Sequence, residues 1–380
     1  MPSDKDVILA RIELDRFRLR RARQAMAGVA TQLPGAGQAM YAKLATTIDE
    51  TDTGLADLAD RTRKYDVSTD RLAALTERRQ ATDRVVDEAF ALATGTLARR
   101  DGLDDGACAE ADRLIAELAA TVDPGLARPT VPGESEFLHR AAFVIRRRVP
   151  DHGVWDLPVM AHEFGHVLTT RFDLYDPITN TVRPLGAEAL GGWPGCTGPQ
   201  AEELFCDVFA TFATGPAYPC TMLLHRLDPT ADATIDPRRS HPPDPVRAAV
   251  LLEALNRLTA GEPPEGRYRM VHEQLTLAWA ALGEHAPASA AVSAEQQATI
   301  RRQVTTTLAL LGKKVRPLRY AWRNAVLRQL AQALDGNRKP DGGIGFQIRD
   351  VLTVAWLARL DATAAHPAPE HLDDWVRSLI

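Results

Sequence analysis

Apolar residues at three- and four-residue steps dominate the first third of the chain. Ile8, Leu9, Ile12 and Leu19 begin the pattern, and Leu55, Leu58, Leu72, Leu75, Val85, Val86, Phe90, Leu92 and Leu97 carry it on. That period gathers the apolar groups on one side of a helix. Residues 1 to about 122 therefore read as a helical bundle or hairpin arm, broken at Leu33-Pro34-Gly35-Ala36-Gly37 and again over Asp101–Gly106, where Gly and Pro end helices. From Pro124 the texture changes. Phe143-Val144-Ile145-Arg146-Arg147-Arg148-Val149-Pro150 is a short β-branched run bounded by proline and reads as one strand, at a sheet edge. A helix is expected from about Trp155 to Thr170, with Pro158 tolerated in its first turn. A Gly- and Pro-rich loop covers residues 173 to 199, and a second helix starts near Gln200. After the loop from Asp228 to Pro245, amphipathic stretches recur near 246–259, 268–282, 293–312, 318–334 and 346–362. The expected fold class is mainly α with a small β element (α+β). Three parts are expected: an N-terminal helical arm or bundle at 1–123, a core at 124–260 and a C-terminal helical region at 261–380.

Composition narrows the setting. The chain has 380 residues, 45% apolar and 25% charged, with a formal net charge of -5. That balance suits a folded soluble protein and offers no general attraction to nucleic acid or to an anionic membrane. No signal-peptide or membrane-span pattern is present, so a cytoplasmic location is expected. The four cysteines, Cys108, Cys196, Cys206 and Cys220, form no CxxC pair and read as plain buried thiols, with a redox or metal role for the closely spaced Cys196, Cys206 and Cys220 as the alternative.

One stretch resists the amphipathic reading. LPVMAHEFGHVL, residues 157–168, places His162, Glu163 and His166 inside an otherwise apolar run. On a helix, residues four apart differ by about 40° in azimuth, so His162 and His166 project from nearly the same face and can grip one ion. Glu163, rotated by about 100° from His162, can reach a water on that ion. The spacing is that of HExxH, which binds Zn²⁺ through two neutral imidazoles and uses the glutamate to move a proton. Gly165 lets another segment approach the helix closely. A catalytic zinc site needs a third protein ligand. Glu202-Glu203-Leu204-Phe205-Cys206-Asp207 offers it. Glu203 and Asp207 share a face, so Glu203 can ligate while Asp207 accepts from the outer nitrogen of a zinc-bound histidine, His162 being the candidate. Glu202 is the weaker substitute for Glu203, and otherwise reads as an acidic residue favoured by the helix start. His152 and His225 read as surface or satisfied core histidines.

HEFGH followed by ExxxD on a later helix resembles the gluzincin metallopeptidases. Downstream, Ser240-His241-Pro242-Pro243-Asp244-Pro245-Val246-Arg247 is similar to the serine-histidine-proline segment and following arginine of the HtpX and CAAX prenyl protease group. The resemblance spans about residues 140 to 250. It implies a zincin-like metallopeptidase core holding one Zn²⁺ per chain through His162, His166 and Glu203, with Glu163 as general base. It also implies that His241 donates to a developing oxyanion and that Arg247 contacts a loop or the substrate; Tyr218 is a further oxyanion candidate. The membrane spans of the integral-membrane members are missing, and helical regions flank the core instead.

The expected reaction is hydrolysis of a peptide bond in a peptide or protein substrate, with the Val144-Ile145 strand pairing with an extended substrate. The alternative is a zinc-containing regulatory or scaffolding module with a sequestered site that binds a partner through its helices. Self-association through the helical regions is a further expectation.

Overall fold

The computed structural model describes residues 4–30, 35–65, 69–134, 136–139, 144–149, 153–176, 181–193, 195–259, 267–336, 338–340, 345–360 and 369–380. The fold is mainly helical with little strand. It comprises two compact units, one formed by residues 1–109 and 128–150, the other by residues 110–127 and 151–380.

The first unit is built on α1 (Asp4–Ala30), α2 (Gly35–Lys64) and α3 (Thr69–Arg100). Ile8, Ile12, Leu19 and Met26 of α1 pack with Leu44, Ile48 and Leu55 of α2 and with Leu75, Val85 and Leu92 of α3. Of the positions the three- and four-residue steps select, Ile8, Ile12, Leu19, Leu55, Leu58, Leu75, Val85 and Leu92 are in this core, whereas Leu72 and Phe90 point to solvent. After α3 the chain turns through Gly102 and Gly106, with φ of 73° and 79°, a region that favours glycine. The expected break at 33–37 leads into α2 at Gly35; residues 31–34 lie outside the described residues.

The strand elements differ from expectation. Three strands, β1 (Thr130–Gly133), β2 (Phe137–His139) and β3 (Val144–Arg148), form a sheet in the order β1-β3-β2. β1 runs parallel to β3, with Thr130 opposite Ile145, and β2 runs antiparallel to it, with Leu138 opposite Ile145. The Val144-Ile145 strand is therefore central. Both of its backbone edges are occupied, so it offers no edge for an extended substrate. β1 packs on α3, and Val131 and Val144 join the helical core. That packing groups residues 128–150 with the N-terminal helices, where the change of texture at 124 suggested a separate core.

The second unit starts within α4 (Ala107–Ala120). It continues with α5 (Val159–Arg171), the short hairpin β4 (Tyr175–Asp176) and β5 (Thr181–Val182), α6 (Gly198–Thr214), α7 (Ala217–Thr221) and α8 (Asp244–Thr259). Five helices follow: α9 (Tyr268–Leu282), α10 (Ala294–Lys314), α11 (Asn324–Asp335), α12 (Ile348–Leu360) and α13 (Pro369–Leu379). Thr197 and Gln200 cap α6 reciprocally, which fixes the start of the second motif helix. Arg349 binds the far end of α6 into the unit. It donates to the Ala213 and Leu318 carbonyls, both at 2.8 Å, and to Glu117 Oε1 of α4 at 2.9 Å. No helix among the described residues is long and apolar enough to cross a membrane.

Candidate metal centre

α5 and α6 pack face to face, and Gly165 sets how closely. A Cβ added there would stand 3.0 Å from Cys206 Sγ and 3.2 Å from the Cys206 Cα, so a side chain would press α6 away. The approach brings the buried His162 and His166 of α5 against Glu203 of α6. His162 Nε2 lies 3.1 Å from Glu203 Oε2, and His166 Nε2 lies 3.4 Å from Glu203 Oε1. Tetrahedral zinc with bonds of about 2.0–2.1 Å sets neighbouring donors roughly 3.3 Å apart. The donor set, two imidazoles and one carboxylate with mutual separations within 4.8 Å, fits such an ion.

The outer nitrogens are occupied as ligand histidines require. His162 Nδ1 lies 3.0 Å from Asp207 Oδ1, and His166 Nδ1 lies 3.3 Å from Glu202 Oε1. An Nδ1 proton given to each carboxylate leaves both Nε2 lone pairs pointing inward. Glu202 is thus neither an exposed helix start nor a substitute ligand. It is buried, and Thr169 Oγ1 donates to it at 2.5 Å. A signal for it existed, because two ligand histidines need two outer acceptors and Asp207 serves one.

Asp207 anchors a larger buried network. Arg247 of α8 grips it bidentately, Nε to Oδ2 at 2.9 Å and Nη2 to Oδ1 at 2.7 Å, and the Tyr218 hydroxyl donates to Oδ1 at 2.6 Å. Arg247 therefore holds a carboxylate behind the site through its Nε and Nη2 donors. Tyr218 is likewise committed. Its hydroxyl also lies 2.9 Å from His162 Nδ1, on the outer side of the ring, which corrects the oxyanion role. Both functions were unreadable because the partner lies 40 and 11 residues away.

Glu163 is buried beside His162, and its charge acts on His166. His241 stands at the mouth of the site, mostly exposed, with Nε2 3.6 Å from Glu203 Oε2 and Nδ1 2.8 Å from Ser240 Oγ. Gln200 anchors the segment leading to it by donating to the Asp236 and Arg239 carbonyls at 2.8 and 3.1 Å. His225 packs its ring against Trp356, while His152 lies outside the described residues. Cys206 is buried on Gly165, and burial with four nearby carboxylates pushes its thiol pKa far up, so it is a packing group.

The electrostatics favour a cation. Burial pulls the His162 imidazole pKa down, but the hydrogen bonds and charges of Asp207 and Glu203 outweigh it and push it up to about 10. Burial likewise opposes the charge on Glu203, yet His166 and His162 hold its pKa well below the usual carboxylate range. For Asp207 the opposing pull comes chiefly from Arg247. In the metal-free chain these carboxylates hold the imidazole protons between them, and a divalent ion would take the place of those protons. No family model matches the chain, and comparison with curated proteins and with solved structures gives no match either. What the centre can do follows from its own donors and charges.

Proposed function

We propose that this chain is a zinc-dependent peptidase of the gluzincin kind, acting on a peptide or protein substrate in the cytoplasm. The observation that carries the proposal is the convergence of two inward Nε2 atoms on Glu203, each imidazole backed by its own carboxylate, with Glu163 buried alongside. His162, His166 and Glu203 would hold the ion. Zinc, when bound, supplies Lewis acidity toward a water and a substrate carbonyl. Glu163 would be the base that takes a water's proton and returns it to the leaving amine. His241 would donate to the substrate, and Asp207 and Glu202 would keep the imidazoles in the tautomer that ligates. Arg247 and Tyr218 hold Asp207 ionised and still. Glu163 is what separates a hydrolase from a metal staple, since a staple needs ligands and no base.

The low exposure of His162, Glu163 and His166, between 4% and 6%, favours a second reading, a zinc-containing regulatory or scaffolding module with a sequestered centre. Glu163→Gln decides between them. The peptidase reading expects about one zinc per chain in wild type and in Glu163→Gln, loss of zinc in His162→Ala and Glu203→Ala, and hydrolysis of a peptide library by wild type alone. Zinc retained with no hydrolysis by wild type favours the module. No zinc after reconstitution overturns both.

A further inference from the structure

A cavity of about 550 Å³ lies in the second unit, and none of the three metal donors lines it. Its walls nevertheless come from the segments that build the centre. α6 turns Glu203 to the donor set and Leu204 to the cavity; α8 turns Arg247 to Asp207 and Val246 to the cavity. The segment that ends in His241 contributes Ile235. Trp193 and Ile300 complete an apolar lining, and the Trp193 Nε1 proton is already given to the Ala189 carbonyl at 3.0 Å. The volume falls within the roughly 300–1,000 Å³ of small-molecule sites.

Charge indicates what fits. Among the described residues that line the cavity, Glu295 alone is charged. It stands in the first turn of α10, where Ser293 and Gln296 form a capping box and already occupy each other's backbone amides. The capping box satisfies the Ser293 and Gln296 amides, and Glu295 supplies the one charge of the lining, a carboxylate, at this end of the cavity. We propose that this cavity is a binding site for a small molecule with an apolar body and an amine, the body among Trp193, Leu204, Ile235, Val246 and Ile300 and the ammonium beside Glu295. The site stands independently of the metal reading. A molecule seated there bears on the segment that carries His241.

The test is calorimetry and saturation-transfer NMR on the full chain with 4-phenylbutylamine, 4-phenylbutanol and 4-phenylbutyrate, with and without chelator. Saturable binding of the amine is expected, unchanged by chelation, roughly threefold tighter than the alcohol and tighter still than the acid. Glu295→Gln should bring the amine to the affinity of the alcohol. Ala291→Trp, which fills the cavity from an exposed wall residue, should abolish binding. Absence of saturable binding, equal affinity for amine and acid, or binding indifferent to Ala291→Trp would overturn the proposal.

Discussion

The three-helix bundle and the α5/α6 pair both bury polar side chains, and they satisfy them in opposite ways. In the bundle, the buried hydroxyls of Thr62, Thr82 and Thr96 each donate to the carbonyl four residues back on the same helix, at 2.7–2.9 Å. Among the described residues its cross-helix ion pairs include Arg16 with Asp52, Arg18 with Asp83 and Arg23 with Asp49, all at the solvent boundary. In the α5/α6 pair the buried groups depend on other helices: His162 on Asp207, His166 on Glu202, Asp207 on Arg247. Removing one member of the bundle's set leaves its neighbours solvated or locally bonded. Removing one member of the metal centre strands a charge in the interior, where its cost is large. The difference is that between a scaffold and a preorganised site.

The sharpest way to break the contrast is Arg247→Met. Asp207 would lose its bidentate partner while buried, with an expected loss of about 3–5 kcal/mol in chelated protein and roughly 10–100-fold weaker zinc binding. Urea unfolding and zinc titration would measure these. Leu19→Ala should cost the bundle about 2–5 kcal/mol through a cavity among α1, α2 and α3. Hydrogen exchange should then show lost protection in those three helices. A pH series separates the two regions further. The His162 pKa is raised to about 10 from its ordinary 6.5, so its proton stabilises the metal-free fold below pH 6.5 and that contribution fades as pH rises toward 10. Chelated protein should therefore lose protection in α5 and α6 over that window, and zinc, which takes the proton's place, should remove the loss. The smallest effect belongs to Arg16→Ala, about 0.2–1 kcal/mol and reduced by salt, because the Arg16–Asp52 pair is partly solvated.

The parts legible in the sequence share one property, short range. Most of the bundle core, the start of α6 near Gln200 and the ranges of α8, α9 and α10 follow from patterns a few residues long. HExxH and the Glu203–Asp207 pair are also i, i+4 patterns, and His162 and His166 with Glu203 do come together. Hidden features depend on distant partners. β1 reads Thr130-Val131-Pro132-Gly133, with a Pro and a Gly that argue against a strand, and it is one because β3 lies beside it. The turn of Arg247 toward Asp207, the placing of Tyr218 behind His162, and the burial of Glu202 all need a second or third helix.

By itself the sequence determined that the chain is mainly helical, most of the buried face of the first three helices, and that two histidines and a glutamate would share one helix with an ion-binding spacing. Those are consequences of helical periodicity, which acts within a few residues. Only the tertiary structure decided which carboxylate faces the inner nitrogens and which ones face the outer nitrogens. Glu202 and Glu203 are neighbours with the same chemistry, and the approach of α6 to α5 over Gly165 assigns one to an outer nitrogen and the other to the inner pair. Burial then turned these groups into a charged network. Side chains that would be weak partners in water become mutually dependent once desolvated, and desolvation is a property of the packed fold.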